Sequence, residues 1–172
     1  LYEILEGNLE HMPKSCAKTL TLMNNVSIIP TNLEFDKNQF DTNNSLRSPR
    51  YKINLLDHIG IKHCPLCHCE IPELIQGAHI WPVSQIKKSH LSYDEQLAHA
   101  ISGENGIWLC ENHHKLFDEN MITFDNSGKI IIHTSDITEK NFIKKITEET
   151  TLPDYYFSDG FFKYLSIRNA AI

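Results

Sequence analysis

Apolar and polar positions follow periods that divide the chain into short helices and strands. Residues 1–12 carry apolar side chains at helical spacing, which predicts a short amphipathic helix. Residues 24–48 are rich in Asn, Thr, Asp and Ser, which predicts an irregular connector. Ser48-Pro49 is a typical helix start and Gly60 a typical stop, so we expect a helix over residues 49–59.

The rest of the chain alternates short apolar runs with helical patterns. Ile75–Trp81 is short, apolar and followed by proline, and Gly106–Leu109 is a second apolar run, so each predicts a strand. The turn sequence Asp125-Asn-Ser-Gly128 lies between two apolar runs and predicts a β-hairpin over residues 121–133. Helices are expected near residues 94–101, 111–120, 137–147 and 161–168.

Composition changes this picture little. At 172 residues, with 41% hydrophobic and 22% charged residues, the chain has the size and composition of one ordinary globular domain with an added N-terminal segment. No apolar run approaches the roughly 20 residues of a transmembrane helix. No signal-peptide pattern opens the chain. These features predict a cytoplasmic protein.

The charge distribution is uneven. A net charge of −6 does not indicate nucleic-acid binding, although a basic face can coexist with an acidic remainder. The stretch from Arg47 to Lys88 holds six Lys and Arg residues against three Asp and Glu residues, and the acidic surplus lies near the two ends of the chain. This asymmetry favours a middle segment that faces DNA.

Four residues have the spacing of a zinc site. Cys64-x-x-Cys67 and Cys110-x-x-His113 are two pairs, each able to bind one ion from a single turn. An odd total of five cysteines argues for metal thiolates in a reducing compartment rather than a disulfide framework. A purely packed set of cysteines is the alternative, and His68 or Cys69 is a candidate substitute ligand.

A second group of residues suggests catalysis. His79 lies in an apolar strand, where a histidine is usually a packed core residue, but its neutral imidazole can accept a proton from water near pH 7. His114 and Asp118 are four apart on a predicted helix, so they can share one divalent ion. Asp118 can instead be a hydrogen-bond acceptor at the helix end. Lys115 can contact phosphate, or simply face solvent.

These motifs resemble a known family. Gly77-Ala-His-Ile80, Asn105-Gly-Ile-Trp-Leu-Cys110 and His113-His-Lys-Leu-Phe-Asp118 together are similar to the HNH endonucleases, in particular to the branch of predicted restriction endonucleases. The resemblance covers about residues 49–135. It implies an α+β fold: a ββα-metal core with a structural zinc site, flanked by helices and a small β-hairpin.

The resemblance also implies a role for each motif residue. His79 would be the general base, Asn105 would brace the loop between the strands, and His114 would bind the catalytic metal. Many relatives place a further ligand immediately before the base, where this chain has Ala78. This departure makes Asp118 the expected second ligand. The zinc would do no chemistry and would hold the helix start in place.

The expected activity is metal-dependent cleavage of double-stranded DNA by a restriction-type endonuclease, leaving 5′-phosphate and 3′-hydroxyl ends. The expected cofactors are a structural Zn²⁺ and a catalytic divalent ion, with Mg²⁺ preferred over Mn²⁺ or Ni²⁺. Residues 49–135 would form the nuclease core and residues 136–172 a helical extension packed on it. Residues 1–48 would serve recognition or dimerisation. Cleavage of a symmetric site calls for two active sites, which makes a homodimer one expectation.

Recognition would depend on residues outside the core motifs. The candidates are Arg47 and Arg50 in the N-terminal segment, and Lys87 and Lys88 in the excursion over residues 83–104. Two other readings stay open. One is a nonspecific HNH DNase or toxin domain, and the other is a zinc-stabilised nucleic-acid-binding module without catalysis.

Overall fold

The computed structural model describes residues 2–5, 26–29, 49–60 and 62–172. The chain divides into two compact units, Leu1–Arg50 and Tyr51–Ile172. In the first unit, strand β1 (Tyr2–Leu5) pairs in parallel with β2 (Val26–Ile29). The helix predicted over residues 1–12 is therefore wrong at β1, and the irregular connector predicted over residues 24–48 is wrong at β2. A short window shows apolar spacing but not a distant strand partner.

Residues 49–172 combine helices with small antiparallel hairpins. Strand β3 (Ile75–His79) pairs with β4 (Gly106–Cys110), and β5 (Ile122–Phe124) pairs with β6 (Ile130–Ile132). The helices are α1 (Pro49–Ile59), α2 (Val83–Ile86), α3 (Tyr93–Ile101), α4 (Glu111–Asp118), α5 (Ile137–Ile146) and α6 (Asp159–Asn169).

The elements predicted in this region are confirmed, with differences at some boundaries: α4 ends at Asp118 rather than at residue 120, and α6 starts at Asp159 rather than at residue 161. Strand β3 ends at His79 rather than at Trp81, and α2 was not predicted. Local chemistry explains several of the boundaries. Gly60, with a φ of +89°, ends α1, as a residue in the left-handed region commonly does. Ser92 and Glu95 form a reciprocal capping box at the start of α3.

The β3–β4 hairpin and α4 form the centre of the second unit. Helix α4 starts at the residue after β4 ends, so the chain passes from strand to helix without a loop. The strand register places His79 opposite Gly106 and Ile75 opposite Cys110. A Cβ atom on Gly106 would lie 2.4 Å from the hydroxyl of Tyr51 in α1, so only glycine allows this close packing.

Within the described ranges, the structure has no helix long and apolar enough to cross a membrane. Arg47, one of the candidate DNA contacts, lies outside the described residues.

Candidate active site and metal centre

Cys64, Cys67, Cys110 and His113 come together as one cluster, as their spacing predicts. Their ligand atoms all lie within 4.8 Å of one another. The sulfurs of Cys67 and Cys110 are 3.6 Å apart, and His113 Nδ1 lies 3.5 Å from Cys64 Sγ and 3.2 Å from Cys110 Sγ. A tetrahedral zinc ion with bonds of about 2.0–2.3 Å separates its ligand atoms by roughly 3.3–3.8 Å. The cluster therefore fits a structural metal such as zinc.

The protonation chemistry of the cluster also favours a cation. A hydrogen bond with Cys64 lowers the pKa of Cys110 to about 3, and the same contact holds the pKa of Cys64 well above its usual range. Burial raises the pKa of Cys67. The Cys110 thiolate thus opposes the ionisation of Cys64, and a bound cation would stabilise all three thiolates. Nδ1 of His113 faces the sulfurs, while its Nε2 lies 3.1 Å from Thr147 Oγ1, which fixes the ring orientation.

Contacts from the segment after α5 hold the Cys64–Cys67 turn. The amides of Glu148 and Glu149 donate to the carbonyl of Leu66 at 2.8 and 3.1 Å. Nε2 of His68 lies 3.2 Å from the carboxylate of Glu149. Neither His68 nor Cys69 belongs to the four-residue cluster. Neither of these two candidate substitute ligands is therefore part of the cluster.

His79 is the last residue of β3 and is held on two sides. Its Nε2 lies 2.9 Å from the carbonyl of Ala100, which can only accept, so Nε2 carries the proton and Nδ1 keeps its lone pair. The ring of Tyr51 stacks on the imidazole, with centroids 3.8 Å apart and planes 17° apart. Burial, together with a smaller effect of the neighbouring His114, lowers the pKa of His79 to about 4. The imidazole is therefore neutral near pH 7.

Asn105 is fully buried and fastens the chain immediately after His79. Its Oδ1 accepts from the amide of Trp81 at 2.7 Å, and its Nδ2 donates to the carbonyls of Trp81 and His99 at 3.2 and 3.1 Å. The next carbonyl along α3, that of Ala100, is the one that accepts from His79. Asn105 therefore fixes both the strand end and the helix turn that orients the imidazole.

His114 and Asp118 lie on one face of α4, as their spacing predicts. Nδ1 of His114 is 3.4 Å from Oδ2 of Asp118, and the two side chains are 16% and 51% exposed. Among the described residues, the cysteine–histidine cluster is the one group that brings three or more ligand atoms together, so no third such ligand accompanies this pair. Ala78 is fully buried and offers no ligand atom.

The candidate DNA contacts lie at exposed or helix-end positions rather than in one cluster. Lys115 is exposed and pairs with Glu119, the residue that follows α4, as a solvated lysine would. Lys87 caps the C-terminal end of α2, Lys88 is exposed beside it, and Arg50 lies in the first turn of α1. The excursion over residues 83–104 also supports the site, because α3 supplies the carbonyl that binds His79.

Sequence reasoning missed Tyr51. In the sequence it is one aromatic residue on the apolar side of a predicted helix, with no motif around it. In the structure it is fully buried, stacks on His79 and donates from its hydroxyl to the carbonyl of Ala78 at 3.0 Å. Only its three-dimensional neighbours show that it belongs to the site.

An antiparallel hairpin that carries a histidine base candidate, followed directly by a helix with candidate metal ligands, defines the ββα-metal class of nuclease cores. Residues 64–125 match the model of the HNH endonuclease family designated HNH_2. A search of curated proteins found no match to the chain. The match supports a nuclease domain over these residues.

Proposed function

We propose that the protein is a metal-dependent, restriction-type endonuclease that hydrolyses phosphodiester bonds in double-stranded DNA. The observation that carries the proposal is the state of His79. Its Nε2–H is bound to the carbonyl of Ala100, and its ring stacks on Tyr51. Nδ1 is left as a basic nitrogen on a neutral imidazole, within a domain of the HNH endonuclease family.

In this proposal His79 accepts a proton from water at Nδ1 as the water attacks phosphorus. The Ala100 carbonyl stabilises the imidazolium that forms, because its contact with Nε2–H strengthens when the ring becomes charged. Asn105 holds the helix turn that carries the Ala100 carbonyl, through His99, and the end of the strand, through Trp81. The products would carry 5′-phosphate and 3′-hydroxyl ends.

His114 and Asp118 would hold the catalytic divalent ion. The 3.4 Å separation of their ligand atoms suits two neighbouring positions in one coordination shell. Two protein ligands leave positions for water and phosphate, as Mg²⁺ sites commonly do, so Mg²⁺ is the expected ion. When bound, the ion would supply charge neutralisation at the phosphate and at the leaving 3′-oxygen.

Recognition and assembly are further parts of the proposal. Lys87 and Lys88 in the excursion, and Arg47 and Arg50 in the N-terminal segment, are the proposed DNA contacts. A homodimer would bring two sites to the two strands of a symmetric target. A reducing, cytoplasmic setting agrees with a cysteine cluster arranged for metal binding.

Plasmid cleavage tests the proposal. Purified, zinc-loaded protein is incubated with methylated and unmethylated plasmid DNA in Mg²⁺ or Mn²⁺, with an EDTA control. Discrete fragments are expected, and their sequenced ends give the site and the end chemistry. A smear would favour the nonspecific DNase reading. No cleavage of any substrate, with DNA binding retained, would contradict the proposal and favour the non-catalytic module.

The Asp118→Ala variant tests the metal ligands. We expect the metal concentration for half-maximal cleavage to rise by about 10- to 100-fold, because the ion loses one of two protein ligands. The matched control is Glu119→Gln, which removes the neighbouring exposed carboxylate that pairs with Lys115. Equal metal requirements in the two variants would rule out Asp118 as part of the metal site.

The pH profile of cleavage tests the state of His79. A general base works only when it is unprotonated. Lowering the pKa of His79 from an ordinary 6.5 to about 4 therefore shifts the acidic limb of the kcat/KM profile to lower pH. At saturating metal, cleavage at pH 5.5 should remain close to that at pH 7.5. An acidic limb near pH 6.5 that does not move with metal concentration would contradict a base whose pKa is lowered to about 4.

A further inference from the structure

A buried arginine from the C-terminal helix lies behind the candidate site. The side chain of Arg168, in α6, is only 2% exposed. Burying a guanidinium is costly unless its donors are satisfied. Burial lowers the pKa of Arg168 to about 10, and the carboxylate of Asp118 opposes that shift, so the group stays charged near pH 7. A residue of this kind usually has a specific task.

The hydrogen bonds of Arg168 join two separate elements. One guanidinium nitrogen donates to the carbonyl of Ile80 at 3.1 Å. The second terminal nitrogen donates to the carbonyl of Phe117 and, at 2.7 Å, to Oδ1 of Asn120, whereas Nε has no hydrogen-bond partner among the described residues. The guanidinium carbon also lies 3.7 Å from the centroid of the Phe117 ring, a cation–π contact that adds to the attachment.

Each partner lies beside a proposed catalytic residue. Ile80 directly follows His79, and Phe117 directly precedes Asp118. The two elements that must face each other across the scissile phosphate are thus fastened to one side chain. Neither His79 nor Asp118 is itself hydrogen-bonded to Arg168 in the described contacts.

Helix α4 would be held at both ends. Cys110, the residue before the helix, and His113, in its first turn, belong to the cysteine–histidine cluster, and its last turn is held by Arg168. Eight residues of helix span about 12 Å. A helix of that length fixed only at its start can still pivot, and displacement at its far end moves Asp118 most.

We propose that Arg168 is a positioning residue of the nuclease site, which ties the strand end bearing His79 to the helix bearing His114 and Asp118. This inference rests on the proposed nuclease function. It extends the working site beyond residues 64–125, because α6 lies outside the segment that matches the family.

The test compares full-length, zinc-loaded variants on plasmid DNA. Arg168→Met removes the charge and the donors at similar size, and Arg168→Lys keeps the charge with a single donor group. Leu165→Ala, a fully buried neighbour in α6, is the control for lost stability. Asn169→Ala is the control for lost hydrogen bonds, because Asn169 bonds to Thr123 and Phe124 in β5 rather than to the candidate site.

In Arg168→Met, measured well below its Tm, kcat should fall by about 10- to 100-fold while KM for DNA stays within about threefold. Small misplacement of catalytic groups has effects of that size. Arg168→Lys should recover part of the loss, and both controls should keep kcat near that of the wild type. The inference is overturned if Arg168→Met keeps wild-type kcat, or if Leu165→Ala loses kcat equally at an equal drop in Tm.

Amide hydrogen exchange gives a readout that does not depend on cleavage. In Arg168→Met the amides of Ile80 and Asn120, which donate to the carbonyls of Asn105 and Phe117, should exchange roughly tenfold or more faster than in Leu165→Ala. The reason is that the Ile80 carbonyl and the Asn120 side chain lose the buried donor that holds both segments in place. Unchanged exchange would overturn the inference. A wild-type protein that cleaves no DNA would instead contradict the proposed function, and the exchange rates would still decide whether Arg168 joins the two elements.

Discussion

His79→Ala is expected to abolish DNA cleavage while leaving zinc content and DNA affinity unchanged. The substitution removes the proposed general base, an imidazole oriented by the Ala100 carbonyl and by stacking on Tyr51. General-base catalysis typically contributes 10²–10⁴-fold, so the residual rate should be at least about 100-fold below that of the wild type. The measurement is initial cleavage rate at saturating metal, together with DNA binding by gel shift and zinc by metal analysis.

The matched control for this prediction is His133→Ala. His133 is exposed after β6, so its loss removes a histidine without touching the candidate site. Cleavage by this variant should equal that of the wild type. Substantial cleavage by His79→Ala would show that the base is another group, and loss of DNA affinity in that variant would show that His79 acts in binding.

The parts of the site that are local in sequence could be predicted from the sequence. The cysteine–histidine pairs each span three positions, and His114 and Asp118 are one helical turn apart, so their spacing alone indicates which side chains meet. Strand β3 and helix α4 carry enough apolar pattern to be placed within about two residues. The class of protein could therefore be predicted from the sequence.

The parts that depend on distant contacts could not be predicted. His79 bonds to Ala100 across 21 positions, Tyr51 reaches Ala78 across 27, and Arg168 reaches Ile80 across 88. No local pattern marks these residues, since a backbone carbonyl, a helix tyrosine and a terminal arginine are common everywhere. Strand β1 was missed for the same reason, because its partner β2 lies beyond the reach of a short window.

Residues in local motifs and residues that act through distant contacts have different roles in the proposed site. The local motifs supply groups that can bind metal and move protons, and the distant contacts determine how those groups face each other. Asn105 belongs to both kinds: it is part of a recognisable motif, yet its amide acts by holding Trp81 and His99 together. Substitutions at the supporting residues should therefore reduce kcat more than they reduce DNA affinity.

Cys64→Ser is expected to cause the largest loss of stability. Cys64 is fully buried, and its sulfur lies 3.5 Å from His113 Nδ1 in the cluster. Structural zinc contributes about 10–16 kcal/mol of binding free energy in small zinc domains, which is comparable to the whole stability of a typical domain. Losing one of four ligands should lower the Tm by more than about 10 °C, since 1 kcal/mol corresponds to roughly 2–4 °C at this chain length. Scanning calorimetry and zinc stoichiometry measure both effects.

The control for this prediction is Cys69→Ser, which changes a neighbouring cysteine that lies outside the four-residue cluster. It should keep one zinc per chain and a Tm within a few degrees of the wild type. Chelation of the wild-type protein should reproduce the Cys64→Ser result, because both remove the link between the Cys64–Cys67 turn and the start of α4. An unchanged Tm in Cys64→Ser would show that packing alone holds His114 in place, and the zinc assignment would fall with it.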